Sequence, residues 1–188
     1  RSAPRSVQNA CDGPVPVVFL TAGDLFFDTA NLEEVRVDQA NRNAKTLATI
    51  LRRMNVTAVL PGDSDRAQPL GVLEALRKTS GFPWLAMDGD VDVLRTQAGT
   101  LHLAVIGVRP GADPGAVAAA VRTARAETDV TIAMVDGSRR DANRLGAIDG
   151  VDFVIQGGLD EDSPIPPHQA GKAWVIHAGR QGQGLTVV

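Results

Sequence analysis

Four places in this 188-residue chain set an acidic residue close to glycine just after a short apolar run. Val15–Leu20 leads to Gly23 and Asp24, and Val56–Leu60 leads to Gly62, Asp63, Ser64 and Asp65. Ile132–Val135 leads to Asp136 and Gly137, and Val151–Ile155 leads to Gly157, Gly158 and Asp160. In an α/β sheet, ligands bind beyond the carboxyl ends of the strands, so neighbouring strands would bring these carboxylates into one cleft. Glycine lets the chain turn sharply and lets a ligand approach the backbone. Several carboxylates in one cleft repel one another unless a cation offsets them, and Mg²⁺, Mn²⁺ or Ca²⁺ suits such oxygen donors. A purely structural reading stands beside this one, because Asp and Gly are also what strand-to-helix turns prefer.

The remaining chemically able side chains add less. None of the three histidines follows these four runs. His102 lies inside Leu101–Val108 and reads as a strand residue, His168 lies in a proline-rich loop, and His177 ends a strand near the same edge of the sheet. A His-rich zinc site is unsupported. Gly179, Gly182 and Gly184 with Arg180 suit a hairpin turn, since no helix follows to offer its N-terminus to phosphate. Ser64 lacks a spaced His partner and the nucleophile-elbow pattern of serine hydrolases. Arg139 and Arg140, near Asp136, either meet an anion or are solvated at a helix start.

The elements that must position these residues alternate between strand and helix. After Val15–Leu20, Asn31 is placed to cap a helix with Glu33 and Glu34 in its first turn. Its apolar positions Val37, Ala40, Ala44, Leu47, Ala48 and Leu51 recur at helical spacing, and it ends near Met54. A strand Val56–Leu60, a helix from about Ala67 to Lys78 and a strand through Trp84–Met87 follow. Val91–Leu94 then pairs as a hairpin with Leu101–Val108, and Pro114–Glu127 reads as a helix packing through Ala116, Ala119, Ala120, Thr123 and Ala124. Val130–Val135, a short helix Arg140–Leu145 and Val151–Ile155 continue the alternation. Gly157–Gly171, rich in Asp and Pro, reads as an exposed loop, and Lys172–Ala178 with Gly184–Val188 as a closing antiparallel pair.

Composition bounds the answer. The chain is 44% hydrophobic and 22% charged, enough core for one domain, 15–188, after a flexible segment 1–14. With 19 basic and 22 acidic residues there is no positive field to attract nucleic acid. The apolar runs fall short of the roughly 20 residues a membrane-spanning helix needs. Cys11 is the single cysteine, which excludes an intramolecular disulfide and leaves the redox compartment open. The chain begins at Arg1 without Met and reads as a processed or partial product.

The order of turns carries more. Thr21-Ala22-Gly23-Asp24-Leu25-Phe26-Phe27 is followed by Met54-Asn55-Val56-Thr57-Ala58-Val59-Leu60-Pro61-Gly62-Asp63-Ser64-Asp65. Then come Pro83-Trp84-Leu85-Ala86-Met87-Asp88, Ala104-Val105-Ile106-Gly107-Val108, Gly150-Val151-Asp152-Phe153-Val154-Ile155-Gln156-Gly157-Gly158 and Val175-Ile176-His177-Ala178-Gly179. From about Val15 onward this succession resembles the calcineurin-like metallophosphoesterase domain of the 5′-nucleotidase-like enzymes. The resemblance implies an α/β sandwich of mixed sheets flanked by helices. In such enzymes two divalent metals between strand ends bind phosphate and generate hydroxide.

Compared turn by turn, the resemblance is incomplete. The opening Asp-x-His motif has no counterpart in these residues. The Gly-Asp motif matches Gly23-Asp24, which would put Asp24 at the metal-bridging position. The Gly-Asn-His-Asp or Gly-Asn-His-Glu motif matches Gly62-Asp63-Ser64-Asp65, with Asp63 in place of the Asn ligand and Ser64 in place of the His that assists the leaving group. Asp136 stands where the next ligand His is expected, and Gly157-Gly158-Leu159-Asp160 where a Gly-His-x-His turn is expected. Every expected histidine is missing. The set that survives is Asp24, Asp63 and Asp136 at one metal position with Asp160 near the other.

Loss of the imidazole ligands and the acid-assisting His removes both the Lewis-acid pair and the proton donor. The resulting expectation is a pseudoenzyme: a metallophosphoesterase-like domain kept for binding or assembly with a protein partner, without cofactor. The periplasm or cell envelope is the expected location because the resembling enzymes are mostly exported, with the cytoplasm as the alternative. Phe26, Phe27 and the Pro164–Pro167 loop are then contact surfaces, unless the aromatic pair is simply packed. The rival expectation is a working phosphoesterase that holds Mn²⁺, Mg²⁺ or Ca²⁺ on carboxylates alone, with Asp24 and Asp63 as ligands and Asp136 or His177 orienting water or phosphate.

Overall fold

The computed structural model describes residues 16–158 and 166–177. The segment 1–14, Asp160 and the expected strand Gly184–Val188 lie outside the described residues. In chain order the elements are β1 (Leu20–Gly23), α1 (Glu34–Arg53), β2 (Ala58–Pro61), α2 (Asp63–Arg66), α3 (Leu70–Ser80), β3 (Val91–Ala98) and β4 (Leu101–Val108). They continue with α4 (Pro114–Arg125), β5 (Val130–Asp136), α5 (Arg139–Gly146), β6 (Phe153–Gly157), β7 (His168–Ala170) and β8 (Ala173–Ile176).

Two sheets lie face to face. The smaller is the parallel pair β1–β2, and the larger is six-stranded in the order β3-β4-β5-β6-β8-β7. Strands β4, β5, β6 and β8 run parallel, while β3 and β7 are antiparallel edges. Ala58, Leu60, Leu85, Ala86, Val105 and Met134 fill the space between the sheets. Helices α1 and α3 cover the outside of the small sheet through Ala44, Ala48, Leu51, Leu73 and Leu76. Helices α4 and α5 cover the outside of the large one through Val117, Val121, Ala124, Ala142 and Leu145. The near-continuous apolar run of β4 follows from this layering: Ala104, Ile106 and Val108 face the helices while Val105 faces the second sheet, so both faces are dry.

Helix α1 ends as its sequence predicts, and for a visible reason. Asn55 takes a left-handed conformation with φ of 55°, its N–H donates to Arg52 O, and the Val56 N–H donates to Leu51 O. This is a Schellman closure, and Leu51 and Val56 meet in the same core cluster.

Several expectations shift. The first strand runs over Leu20–Gly23 rather than Val15–Leu20, because its ladder partners are Ala58–Pro61. The α1 N-cap is Glu33, and the Asn31 N–H is instead held by Thr29 Oγ1. The helix expected from Ala67 is α3 and starts at Leu70 with Pro69 as its N-cap, while the expected turn before it holds the additional short helix α2. Trp84–Met87 is not a full strand: a single parallel bridge joins Val59 to Trp84, and Ala86, at φ of 51°, turns the chain out of the extended path. In α4 the buried face is Val117, Val121 and Ala124, while Ala116, Ala119 and Thr123 are exposed. The larger valines bury more apolar area than alanines on the neighbouring face. The loop expected over Gly157–Gly171 contains β7, which pairs antiparallel with β8, so His168 sits on a strand. Phe26 and Phe27 are core residues, not a contact surface, and Phe26 stacks on Trp84 with ring centres 4.9 Å apart. Among the described residues no helix is long and apolar enough to cross a membrane.

Candidate functional site

The exits of β1, β2, β5 and β6 meet at one end of the sandwich. Asp136 closes β5 opposite Gly157 of β6. It lies two residues past Met134 and so on the face that meets the small sheet. A methyl group placed on Gly62 would come within 2.8 Å of Asp136 Oδ2 and nearer still to Asp24 Oδ1, so these two carboxylates flank the Gly62 backbone. Asp136 Oδ1 is wedged between Gly23 and Gly158, where a methyl group on Gly158 would lie only 2.5 Å away. Glycine at these exits is thus required by close approach as well as by turning.

Each carboxylate has its own surroundings. Asp24 is exposed, and Ser64 engages both of its oxygens: the Ser64 N–H donates to Oδ1 and the Ser64 hydroxyl to Oδ2, each at 2.8 Å. The Asp63 side chain is also exposed, while its backbone N–H supports Asp136. Asp136 Oδ1 is buried and has no hydrogen-bond partner among the described residues. Burial, and then the nearby charges of Asp24 and Asp63, push this carboxyl up to about 6, against the pull of Arg66 and the Asp63 N–H.

Two residues outside the expected ligand set, Asp65 and Arg66, complete the arrangement. Asp65 is fully buried, with Oδ1 accepting the N–H groups of Phe26 and Phe27 and Oδ2 accepting that of Leu25, all at 2.9 Å. Burial pushes it up to about 7 even though these three donors favour the charged form. The signal was present, since Asp65 occupies the final acidic position of the Gly-Asn-His-Asp-like motif. Arg66 donates from Nε to Pro61 O at 2.9 Å and from Nη1 to Ala86 O at 2.7 Å. Nothing in its sequence context marks it, because its partners are backbone carbonyls.

His177 is placed elsewhere. It is buried just past β8 and lines a narrow cleft with Arg139, Gln156, Pro166, His168 and Val175. Val175 belongs to the core under α4 and α5, so this cleft opens on the helix-covered face of the large sheet, opposite to Asp136. Asp24, Asp63 and Asp136 are brought together, His177 is not among them, and Asp160 lies outside the described residues.

The donor set does not fit a two-metal centre. Among the described residues no three His, Cys, Asp or Glu side chains converge to hold a metal ion. Both oxygens of Asp24 are already hydrogen-bonded by Ser64. The position that the resemblance gives to an acid-assisting imidazole carries a hydroxyl instead.

No family model and no curated protein matches this chain. Solved structures do. A Staphylococcus aureus protein assigned as a 5′-nucleotidase superposes with a TM-score of 0.66 at 13% identity, over 86% of this chain and 39% of that one. The sulfate thiohydrolase SoxB of Thermus thermophilus superposes with a TM-score of 0.66 at 17% identity, over 86% of this chain and 33% of its own. The fold is therefore the metallophosphoesterase-like α/β sandwich of these hydrolases, and the chain spans about a third to two fifths of their length.

Proposed function

We propose that this is a non-catalytic metallophosphoesterase-like domain, without a resident metal, that serves a binding or assembly role with a protein partner in the cell envelope. The observation that carries the reading is the Ser64–Asp24 pairing: Ser64, at the position the resemblance gives to the leaving-group histidine, donates to both Asp24 oxygens where an imidazole would be expected. A serine hydroxyl in that place neither ligates a metal well nor donates a proton to a departing alkoxide near neutral pH. The envelope location rests on the resemblance to mostly exported enzymes.

The test is a calorimetric Mn²⁺ titration of chelator-stripped protein, paired with hydrolysis assays on p-nitrophenyl phosphate and a nucleoside 5′-monophosphate. Neither specific heat nor turnover is expected. Saturable micromolar binding that Asp24→Asn and Asp63→Asn both abolish would overturn the reading.

One observation favours the rival, a phosphoesterase with an all-carboxylate metal site: Asp136 Oδ1 is buried without a hydrogen-bond partner among the described residues, as an oxygen awaiting a cation would be. In that case Asp24, Asp63 and Asp136 would hold a hard cation such as Mn²⁺, Mg²⁺ or Ca²⁺, which supplies Lewis acidity when bound. The same titration decides between the two.

A further inference from the structure

The carboxyl ends of β6 and β8 have a second face, beside α5, and its side chains differ in chemistry from the aspartates on the first. Past the Ile155–Ile176 rung, Gln156 and His177 stand side by side on the helix side of the sheet, as Val154 and Val175 do two residues earlier. His168 of β7 is the register partner of Val175 and so shares that face. Arg139 opens α5, and Asn143, one turn on, meets His168 with Oδ1 2.9 Å from Nε2. These elements bring Arg139, Gln156, His168 and His177 to the walls of one narrow cleft. Gln156 and His177 are buried, and Gln156 Nε2 is held by Gly137 O at 2.9 Å.

Among the described residues no acidic side chain lines this cleft. Asp141, the carboxylate nearest to Arg139 in sequence, is turned back on the start of α5, where its Oδ2 accepts the Ser138 N–H and hydroxyl. A permanently charged guanidinium repels a metal ion, which the two imidazoles alone would suit, whereas its planar fork matches an oxyanion. An imidazole donates from both ring nitrogens once protonated, and an anion beside it favours that form. We infer that this cleft binds a small dianionic oxyanion, sulfate or phosphate, between Arg139 and the rings of His168 and His177. It is too narrow for a nucleoside. The inference goes beyond the reading above and stands whether or not the carboxylate cluster on the opposite face holds a cation.

The chain has three histidines, and His102 is an internal control: it lies at the start of β4, the other end of the sheet, with Nδ1 3.7 Å from Asp129. The test is a sodium sulfate titration of the full chain at a fixed pH of about 6.5, with ionic strength held by sodium chloride, read on the three imidazole C–H signals by proton NMR. His102→Gln and His168→Gln assign the signals. Those of His168 and His177 are expected to move together and to saturate at millimolar sulfate or below, while that of His102 stays in place. Arg139→Gln should weaken binding about tenfold or more, as the loss of a charge-assisted pair does. Arg140→Gln, whose arginine does not line the cleft, should leave it unchanged. Acetate, a monoanion, should bind at least about tenfold more weakly than sulfate. Signals that move linearly, or all three alike, would mean a general ionic effect and overturn the inference. An unweakened Arg139→Gln variant, or acetate as tight as sulfate, would overturn it as well. Should Arg139→Gln fail to fold, His168→Gln read on the His177 signal takes its place, where weaker binding supports the inference and unchanged binding overturns it.

Discussion

Ser64 and Asp24, 40 residues apart in sequence, are joined by two hydrogen bonds of 2.8 Å, one from the backbone N–H and one from the hydroxyl of Ser64. The pair fastens the exit of β1 to the start of α2. Ser64→Ala keeps the backbone bond and removes the hydroxyl one, so a loss of about 1 kcal/mol is expected, in the range for a bond to a charged acceptor at a partly exposed site. Urea unfolding would read it. Ser64→Thr, which keeps the hydroxyl, should lose less.

Asp65 is expected to be far less forgiving. Its carboxylate serves three backbone N–H groups of the Leu25–Phe27 loop inside the protein, and Asp65→Ala would leave them without a partner. A loss of about 3 kcal/mol or more is expected, with a matching fall in the midpoint of denaturation. Asp65→Asn keeps one acceptor oxygen and should fall between Asp65→Ala and the unsubstituted protein.

The same residue sets a pH dependence. Folded Asp65 keeps its proton up to about 7, whereas the unfolded chain releases it near 3.8. Between these values the folded state binds more protons than the unfolded one, so stability declines as pH rises through that window and levels off above it. Asp136, pushed up to about 6, adds to the decline over the lower part of the same range. Denaturation midpoints recorded across this range should therefore fall with pH, and Asp65→Asn should flatten the upper part of the curve. A midpoint that rises from acid to neutral pH would contradict both shifts.

Gly157 tests the contact between the sheets. A methyl group there would run into the Ala22 carbonyl of β1, which is backbone and has no room to yield. Gly157→Ala is expected to cost about 3 kcal/mol, the upper range for overpacking, or to prevent folding. Gly89→Ala, with nothing within 4 Å of the added carbon, is the neutral control.

At the end of α1 the expected change has the opposite sign. Asn55 is exposed and left-handed at the Schellman position, where glycine is easier to accommodate. Asn55→Gly should raise stability by about 0.5 kcal/mol, the gain in native backbone energy slightly exceeding the added freedom of the unfolded chain. A thermal melt of the two proteins side by side would show it.

What the amino-acid sequence determined alone was the alternation of strand and helix and the acidic turns at four strand exits. Apolar periodicity and Gly-Asp punctuation are local properties, and they place β4, β5, α1 and α5 to within a few residues. The succession of turns likewise leads to the metallophosphoesterase-like sandwich that the solved structures share. Tertiary structure alone decided which face of α4 is buried, because alanine and valine stripes compete and only the facing strands choose between them. It decided that Trp84 makes a bridge and not a strand, because Ala86 turns away where Arg66 holds its carbonyl. It also decided the state of the carboxylates. Whether an aspartate faces a cation, a hydroxyl, an arginine or a row of backbone N–H groups depends on partners about 40 residues distant, as with Asp65 and Phe26 or Asp24 and Ser64. Hydrogen bonds and burial of that range leave no periodic mark in a chain, so they come into being only when the two sheets close on each other.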